Sequence, residues 1–151
     1  MPSQSIWGPA TWLLFHTLAE KIHEDKFNDI GQQMIHFIRR ISRYLPCPDC
    51  SNHATRFFAQ VPPHLFKTKE DFKHVIFIMH NHVNKRKDKP TPKKADILPF
   101  YKNRRIINVY NNFIKTYNSK GNMNLLTDSF QRQIIITEFK KWLMTNIHAF
   151  R

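Results

Sequence analysis

At 151 residues, with 41% hydrophobic side chains including thirteen Phe, the chain can bury a core and suits a single domain. Three glycines disfavour a glycine-rich nucleotide-binding architecture and suit helices; two cysteines argue against a disulfide-stapled secreted scaffold. The net charge of +13 leaves open a solvated basic surface, an acidic partner, nucleic acid or an anionic membrane.

The opening MPSQSIWGPATW has no basic region feeding an apolar run, so no signal peptide is expected. No uncharged apolar run reaches the roughly 20 residues of a membrane span, and an intracellular location is the expectation. WGPATWLLFHTLAEKI places Trp12, Phe15, Ala19 and Ile22 on one face of a first helix, with Pro9 suited to its first turn. Residues 31–45 place Met34, Ile38, Ile41 and Leu45 on one face of a second, which ends before Pro46. DCSNHATRFFAQV predicts a short third helix, stopped by Pro62 and Pro63. Thr68 or Lys69 opens a long fourth helix, with Glu70 and Asp71 near its start and Phe72, Ile76, Met79 and Val83 on its buried face. KRKDKPTPKK is polar and proline-broken, a loop or linker. IINVYNNFIKTY and SFQRQIIITEFKKWLMTNI each predict helix, although the β-branched IIIT also suits a strand. The fold class expected is all-α: a four-helix core over residues 1–101, followed by a helical C-terminal extension over 102–151.

Both cysteines lie in YLPCPDCSNH, and two uses are open. Cys47, Cys50 and His53 have plausible local spacing for zinc, and nine histidines offer a fourth ligand, but the usual second CxxC is missing. The redox use rests on Cys50 lying in the first turn of the helix towards Phe58, where unpaired backbone N–H groups stabilise a thiolate. Pro46 and Pro48 restrict the backbone there, and a disulfide closed over two residues is sterically feasible and readily exchanged.

The surroundings favour the redox use. WGPATWLLFH matches a G-x-x-x-W-x-x-x-H pattern through Gly8, Trp12 and His16. CPDCSNH matches C-x-x-C-x-x-H through Cys47, Cys50 and His53. HNHVNKRKDKP matches H-N-x-V-N before a basic stretch, through His80, Asn81, Val83 and Asn84. In this order, over residues 7–101, the three blocks resemble the FAD-dependent sulfhydryl oxidase family, and most of all its small members from large DNA viruses. The resemblance implies a four-helix fold carrying FAD and an oxidase that makes disulfides from protein dithiols, passing electrons to O2 to give H2O2. Cys50 would be the cysteine against the flavin, and Cys47 the outer one that receives electrons from a substrate dithiol.

The same resemblance gives the remaining residues cofactor roles beside ordinary packing ones. Trp12 stacks on the flavin or adenine, or is a core aromatic. His16 contacts the nucleotide part, or is a satisfied core histidine. His53, His80 and Asn84 need polar partners beside apolar faces, which FAD supplies; Asn81 lies one position round the helix. Lys85, Arg86 and Lys89 pair with phosphates, or form a solvated run. Tyr101 stands where animal relatives have a Trp and closes the adenine pocket. Tyr44, three before Cys47, packs near the flavin or into the core. His82 is expected to face solvent.

Two features depart from the family pattern. No further cysteine pair exists to shuttle electrons, so Cys47 takes them directly from a partner's dithiol or from a separate shuttle protein. Residues 102–151 match no motif. Their stripe of Ile135, Phe139, Trp142 and Leu143 is expected to pack on the same subunit or to form a subunit interface, with a homodimer as the default state. A viral origin would place the protein in the host cytoplasm or the virion. The competing class, a basic zinc-stabilised module binding nucleic acid, explains the charge but neither the Gly-Trp-His nor the His-Asn-Val-Asn block.

Overall fold

A computed structural model describes residues 4–90, 101–118 and 126–151. These form six α-helices: α1 Gln4–Lys21, α2 Glu24–Arg43, α3 Pro48–Gln60, α4 Lys69–Arg86, α5 Ile106–Tyr117 and α6 Leu126–Thr145. Two 3-10 turns, Pro63–Phe66 and Ile147–Phe150, complete the described elements. Among the described residues there is no strand, as the all-α expectation requires, and the IIIT run lies inside α6. The KRKDKPTPKK stretch is not all linker: Lys85 and Arg86 belong to α4, and residues 91–94 lie outside the described residues.

Local chemistry sets the helix ends. Thr68 caps α4, its hydroxyl accepting from the Asp71 N–H at 3.1 Å, and Glu70 and Asp71 sit at the positive end of the helix dipole. The far end of α4 turns through Asp88 at φ 59°, with Asp88 N–H donating to Lys85 C=O at 3.2 Å and Lys89 N–H to Asn84 C=O at 2.8 Å. This is a Schellman turn with Asp in the left-handed position usually given to Gly. It reverses the chain so that Lys89 returns towards His80.

The second helix begins earlier than the sequence suggests, at Glu24 rather than residue 31. Gly31, where the sequence pattern starts the helix, lies inside it and is closely packed. A Cβ at Gly31 would lie 2.8 Å from ring carbons of Phe27, itself buried against the core. Leu45, expected on this helix, is buried beyond its end.

Buried residues of all six helices share one hydrophobic core, and α1 is central to the molecule. It packs against α4 on one side and α5 on another, and the terminal 3-10 turn also reaches it. Phe15, Ala19 and Ile22 are buried as expected, but so are Ala10, Leu14, Thr17 and Leu18. Covering a leucine adds about 1.5–3 kcal/mol, so the α5 layer stabilises what would otherwise be an apolar surface. Helix α6 lies against α2. Phe37 of α2 meets Phe139 and Trp142, each at 5.5 Å between ring centres, and the Trp142 indole N–H donates to Gln33 at 2.7 Å. Ile135, Phe139 and Leu143 are buried within the chain, and Trp142 is half-buried.

Candidate active site

Cys47 and Cys50 form a disulfide with their Cα atoms 5.2 Å apart. Cys47 is the N-cap of α3, Pro48 and Asp49 begin the helix, and Cys50 lies in its first turn. The Cys50 backbone N–H donates to the Cys47 sulfur at 3.2 Å. That N–H belongs to the unpaired set of a helix start, so it stabilises negative charge on the Cys47 sulfur once the pair is reduced. Both cysteines are half-buried. Asp49 between them pairs loosely with His53 at 3.9 Å and Arg86 at 3.7 Å, exposed contacts of little energetic weight. Among the described residues no cluster of three or more His, Cys, Asp or Glu side chains is arranged to hold a metal ion.

A cleft opens beside the disulfide between α1, α3 and α4. Its inner chamber is lined mostly by apolar groups, among them Trp7, Phe15, Ala54 and Met79, with Cys50 and His53 on the α3 side. The outer chamber is lined by His80, Asn84, Lys87, Lys89 and Tyr101. Gly8, Trp12, Val83 and Lys87 line both, so the two chambers are neighbours.

Four rings organise the outer end. Trp12 stacks on His80 at 4.2 Å and 9°, and His16 stacks on Tyr101 at 4.4 Å and 8°. His16 Nε2 and His80 Nδ1 share a hydrogen bond of 2.9 Å, one nitrogen donating and the other accepting. Burial, reinforced by the neighbouring His80, pushes His16 down to about 3. Burial, with Lys89 nearby, pushes His80 down to about 4. Both imidazoles are therefore neutral at pH 7 and can accept as well as donate. Burial pushes the Tyr101 hydroxyl up, which keeps it protonated.

The structure thus gathers Gly8, Trp12, His53, His80, Val83, Asn84, Lys89 and Tyr101 along one cleft, with His16 bound into its ring stack. Asn81, Lys85 and Tyr44 line neither chamber; Lys85 is exposed, and Tyr44 packs against the core. His82 is exposed, as expected. Sequence reasoning missed Thr11, Met79 and Lys87 as lining groups. A signal was present: Gly8, Thr11, Trp12 and Phe15 follow one helical stripe, and Met79, Val83 and Lys87 another.

The donor set fits FAD. The apolar lining beside Cys50 suits a flavin ring, and the outer chamber offers cations for phosphates with aromatic and amide groups for ribose and adenine. The sequence profile of the Erv1 / Alr family matches residues 9–105. A protein of invertebrate iridescent virus 3, provisionally named a FAD-linked sulfhydryl oxidase, is 30% identical over 86 residues, 56% of this chain and 58% of the relative. A rice FAD-linked sulfhydryl oxidase is 28% identical over 83 residues, 55% of this chain and 42% of the relative. A second provisionally named oxidase, of invertebrate iridescent virus 6, is 28% identical over 91 residues, 56% of this chain and 82% of the relative. The chain therefore spans about half the length of the first two curated relatives. No solved structure matches at a significant level.

Proposed function

Because this chain belongs to the Erv1 / Alr family, we propose that it is a FAD-linked sulfhydryl oxidase that forms disulfides in protein dithiols and delivers the electrons to O2 as H2O2. The observation that supports this reading is a helix-start disulfide whose Cys50 lines an apolar chamber that adjoins a basic, ring-lined one. The names of the three relatives point the same way. The zinc-stabilised module is not favoured: the two sulfurs are bonded to each other.

The chain's own residues account for the exchange half of the reaction. A substrate thiolate attacks the Cys47 sulfur, forming a mixed disulfide and releasing Cys50 as a thiolate at the α3 N-terminus. The second substrate thiolate then attacks its partner sulfur, closes the product disulfide and releases Cys47 as a thiolate, which the Cys50 N–H stabilises. Bound FAD would supply the acceptor for the electron pair given up as Cys47 and Cys50 re-form their disulfide, and the onward route to dioxygen. Trp7, Trp12, Phe15 and Met79 exclude water beside Cys50, while His80, Asn84, Lys87, Lys89 and Tyr101 hold the nucleotide end, with His16 fixing the rings. Thiol-dependent oxygen uptake tests the reading. Wild type should consume O2 with a flavin spectrum; a colourless protein, or undiminished turnover in Cys50→Ser, would overturn it.

The electron donor is a protein dithiol, or a shuttle protein carrying one, since the chain has no second cysteine pair. The basic surface suits a donor of acidic character. A mixed disulfide trapped on Cys47 in Cys50→Ser would identify it. The homodimer remains the default state, but its contact must use surfaces other than Ile135, Phe139 and Leu143, which the chain buries itself. Equilibrium sedimentation decides this, a monomer at micromolar concentration ruling the dimer out. No described helix is long and apolar enough to cross a membrane. The two viral relatives suit the host cytoplasm or the virion as its location.

A further inference from the structure

We infer that the two appended helices belong to the disulfide's apparatus: Tyr117 of α5 and Arg132 of α6 are positioning residues that clamp the strap carrying Cys47. This rests on the reading of Cys47–Cys50 as a redox-active pair. Both residues lie beyond residue 105, where the family match ends.

The strap is the stretch Tyr44–Cys47 between the end of α2 and the start of α3. A helix end leaves its last carbonyls without intrahelical donors. Here the appended helices add donors to two: Ile41 C=O at the end of α2, which already accepts from Tyr44 N–H at 3.2 Å, gains a second, and Tyr44 C=O, the first carbonyl of the strap, gains one. The Tyr117 hydroxyl donates to Ile41 C=O at 3.2 Å, and Arg132 Nη1 donates to Tyr44 C=O at 3.2 Å. Arg132 Nη2 also donates to Ser129 Oγ at 3.0 Å, which fixes the guanidinium plane. The guanidinium carbon lies 6.0 Å from the centre of the Tyr117 ring. Tyr117 is 0% and Arg132 1% exposed. From the other side, α3 holds the same strap: Leu45 N–H donates to Ser51 Oγ at 2.8 Å, and Ser51 N–H to Cys47 C=O at 3.0 Å.

A buried guanidinium is costly, and a fold retains it where its hydrogen bonds are specific. Arginine suits this place because its rigid fork serves two acceptors at once, which lysine cannot do in one geometry. The restraint acts on chemistry through proximity. Holding Cys47 at the α3 start raises the effective concentration of one thiol near the other, so the clamped strap favours the closed disulfide over the open dithiol.

The test uses the full-length protein as purified, equilibrated anaerobically in glutathione buffers, quenched in acid and alkylated to count closed Cys47–Cys50. Arg132→Met should lower the closure constant about tenfold, equivalent to ~30 mV for a two-electron couple. Arg132→Lys should recover part of that loss. Tyr117→Phe, which removes only the hydroxyl, should lower it about threefold. Leu143→Ala, a fully buried change elsewhere on α6, should lower the melting temperature yet leave the constant within about twofold. Arg132→Met and Tyr117→Phe that lower the melting temperature alone, or that shift the constant no more than Leu143→Ala does, would overturn the clamp. Should Arg132→Met not fold, Tyr117→Phe against Leu143→Ala decides the matter. The readout needs no turnover, so loss of the clamp would leave the oxidase reading standing, and absent oxygen uptake would leave the clamp standing.

Discussion

The two ends of the cleft are built by different physics. At the inner end, Cys50 lies on a helix start and faces Trp7, Phe15, Ala54 and Met79, a wall with little polar character. At the outer end, His16, His80, Trp12 and Tyr101 form paired stacks with Lys87 and Lys89 close by. The first end controls a covalent bond through backbone N–H groups and exclusion of water. The second controls a binding equilibrium through neutral rings and cations. A molecule built this way should lose turnover and cofactor binding by separate changes.

The largest expected effect is at the inner end alone. Cys50→Ser should drop thiol-dependent oxygen uptake to background while FAD stays bound through the outer end. Loss of bound flavin in that variant, seen by absorbance after gel filtration, would break the division between the ends.

Acid should act on the outer end. His16 and His80 are pushed down by burial to about 3 and about 4, whereas an unfolded histidine titrates near 6.5. Below pH ~6.5 the unfolded chain takes up protons that the folded one refuses. The stabilisation is therefore complete above that pH and is lost as pH falls towards 4, by on the order of 3 kcal/mol for each histidine. Denaturant midpoints across pH 4–7 should show this slope, and His16→Phe, which keeps a ring against Tyr101, should flatten it. An unchanged slope would mean that the ring pair is not what titrates.

A smaller loss is expected when His80 and Asn84 are both changed to Ala. Each removes about 1 kcal/mol of polar or stacking contact, so FAD should bind some thirtyfold more weakly. The ligand-dependent rise in melting temperature should shrink with it, while the Cys47–Cys50 disulfide stays formed. Unaltered FAD affinity would reduce these residues to ordinary helix surface.

The smallest effect belongs to the turn that presents Lys89. Asp88 holds φ 59°, a conformation that a β-branched residue resists by roughly 1–2 kcal/mol. Asp88→Val should destabilise by about that amount and weaken FAD a few-fold; Asp88→Gly should do neither. Equal behaviour of the two variants would separate the Schellman turn from the outer chamber.

Much of this was determined by sequence alone. Periodicity placed α5, and Thr68 with its following acids placed the start of α4, because capping and amphipathic spacing are local properties. The spacing of Gly8, Trp12 and His16, of Cys47 and Cys50, and of His80 and Asn84 put chemistry on helix faces, since a 3.6-residue turn fixes which positions coincide. Only the tertiary structure decided what each face meets. The second helix started at residue 31 by pattern, but the chain is helical from Glu24, with the Phe27 ring filling the space a side chain at Gly31 would need. The α1 stripe looked single until α5 covered its other side. Above all, Arg132 sits in a segment with no motif, and nothing local marks it, because its acceptor on Tyr44 lies 88 residues away in the chain. Long-range contacts are set by how whole helices pack, and sequence spacing carries no record of them.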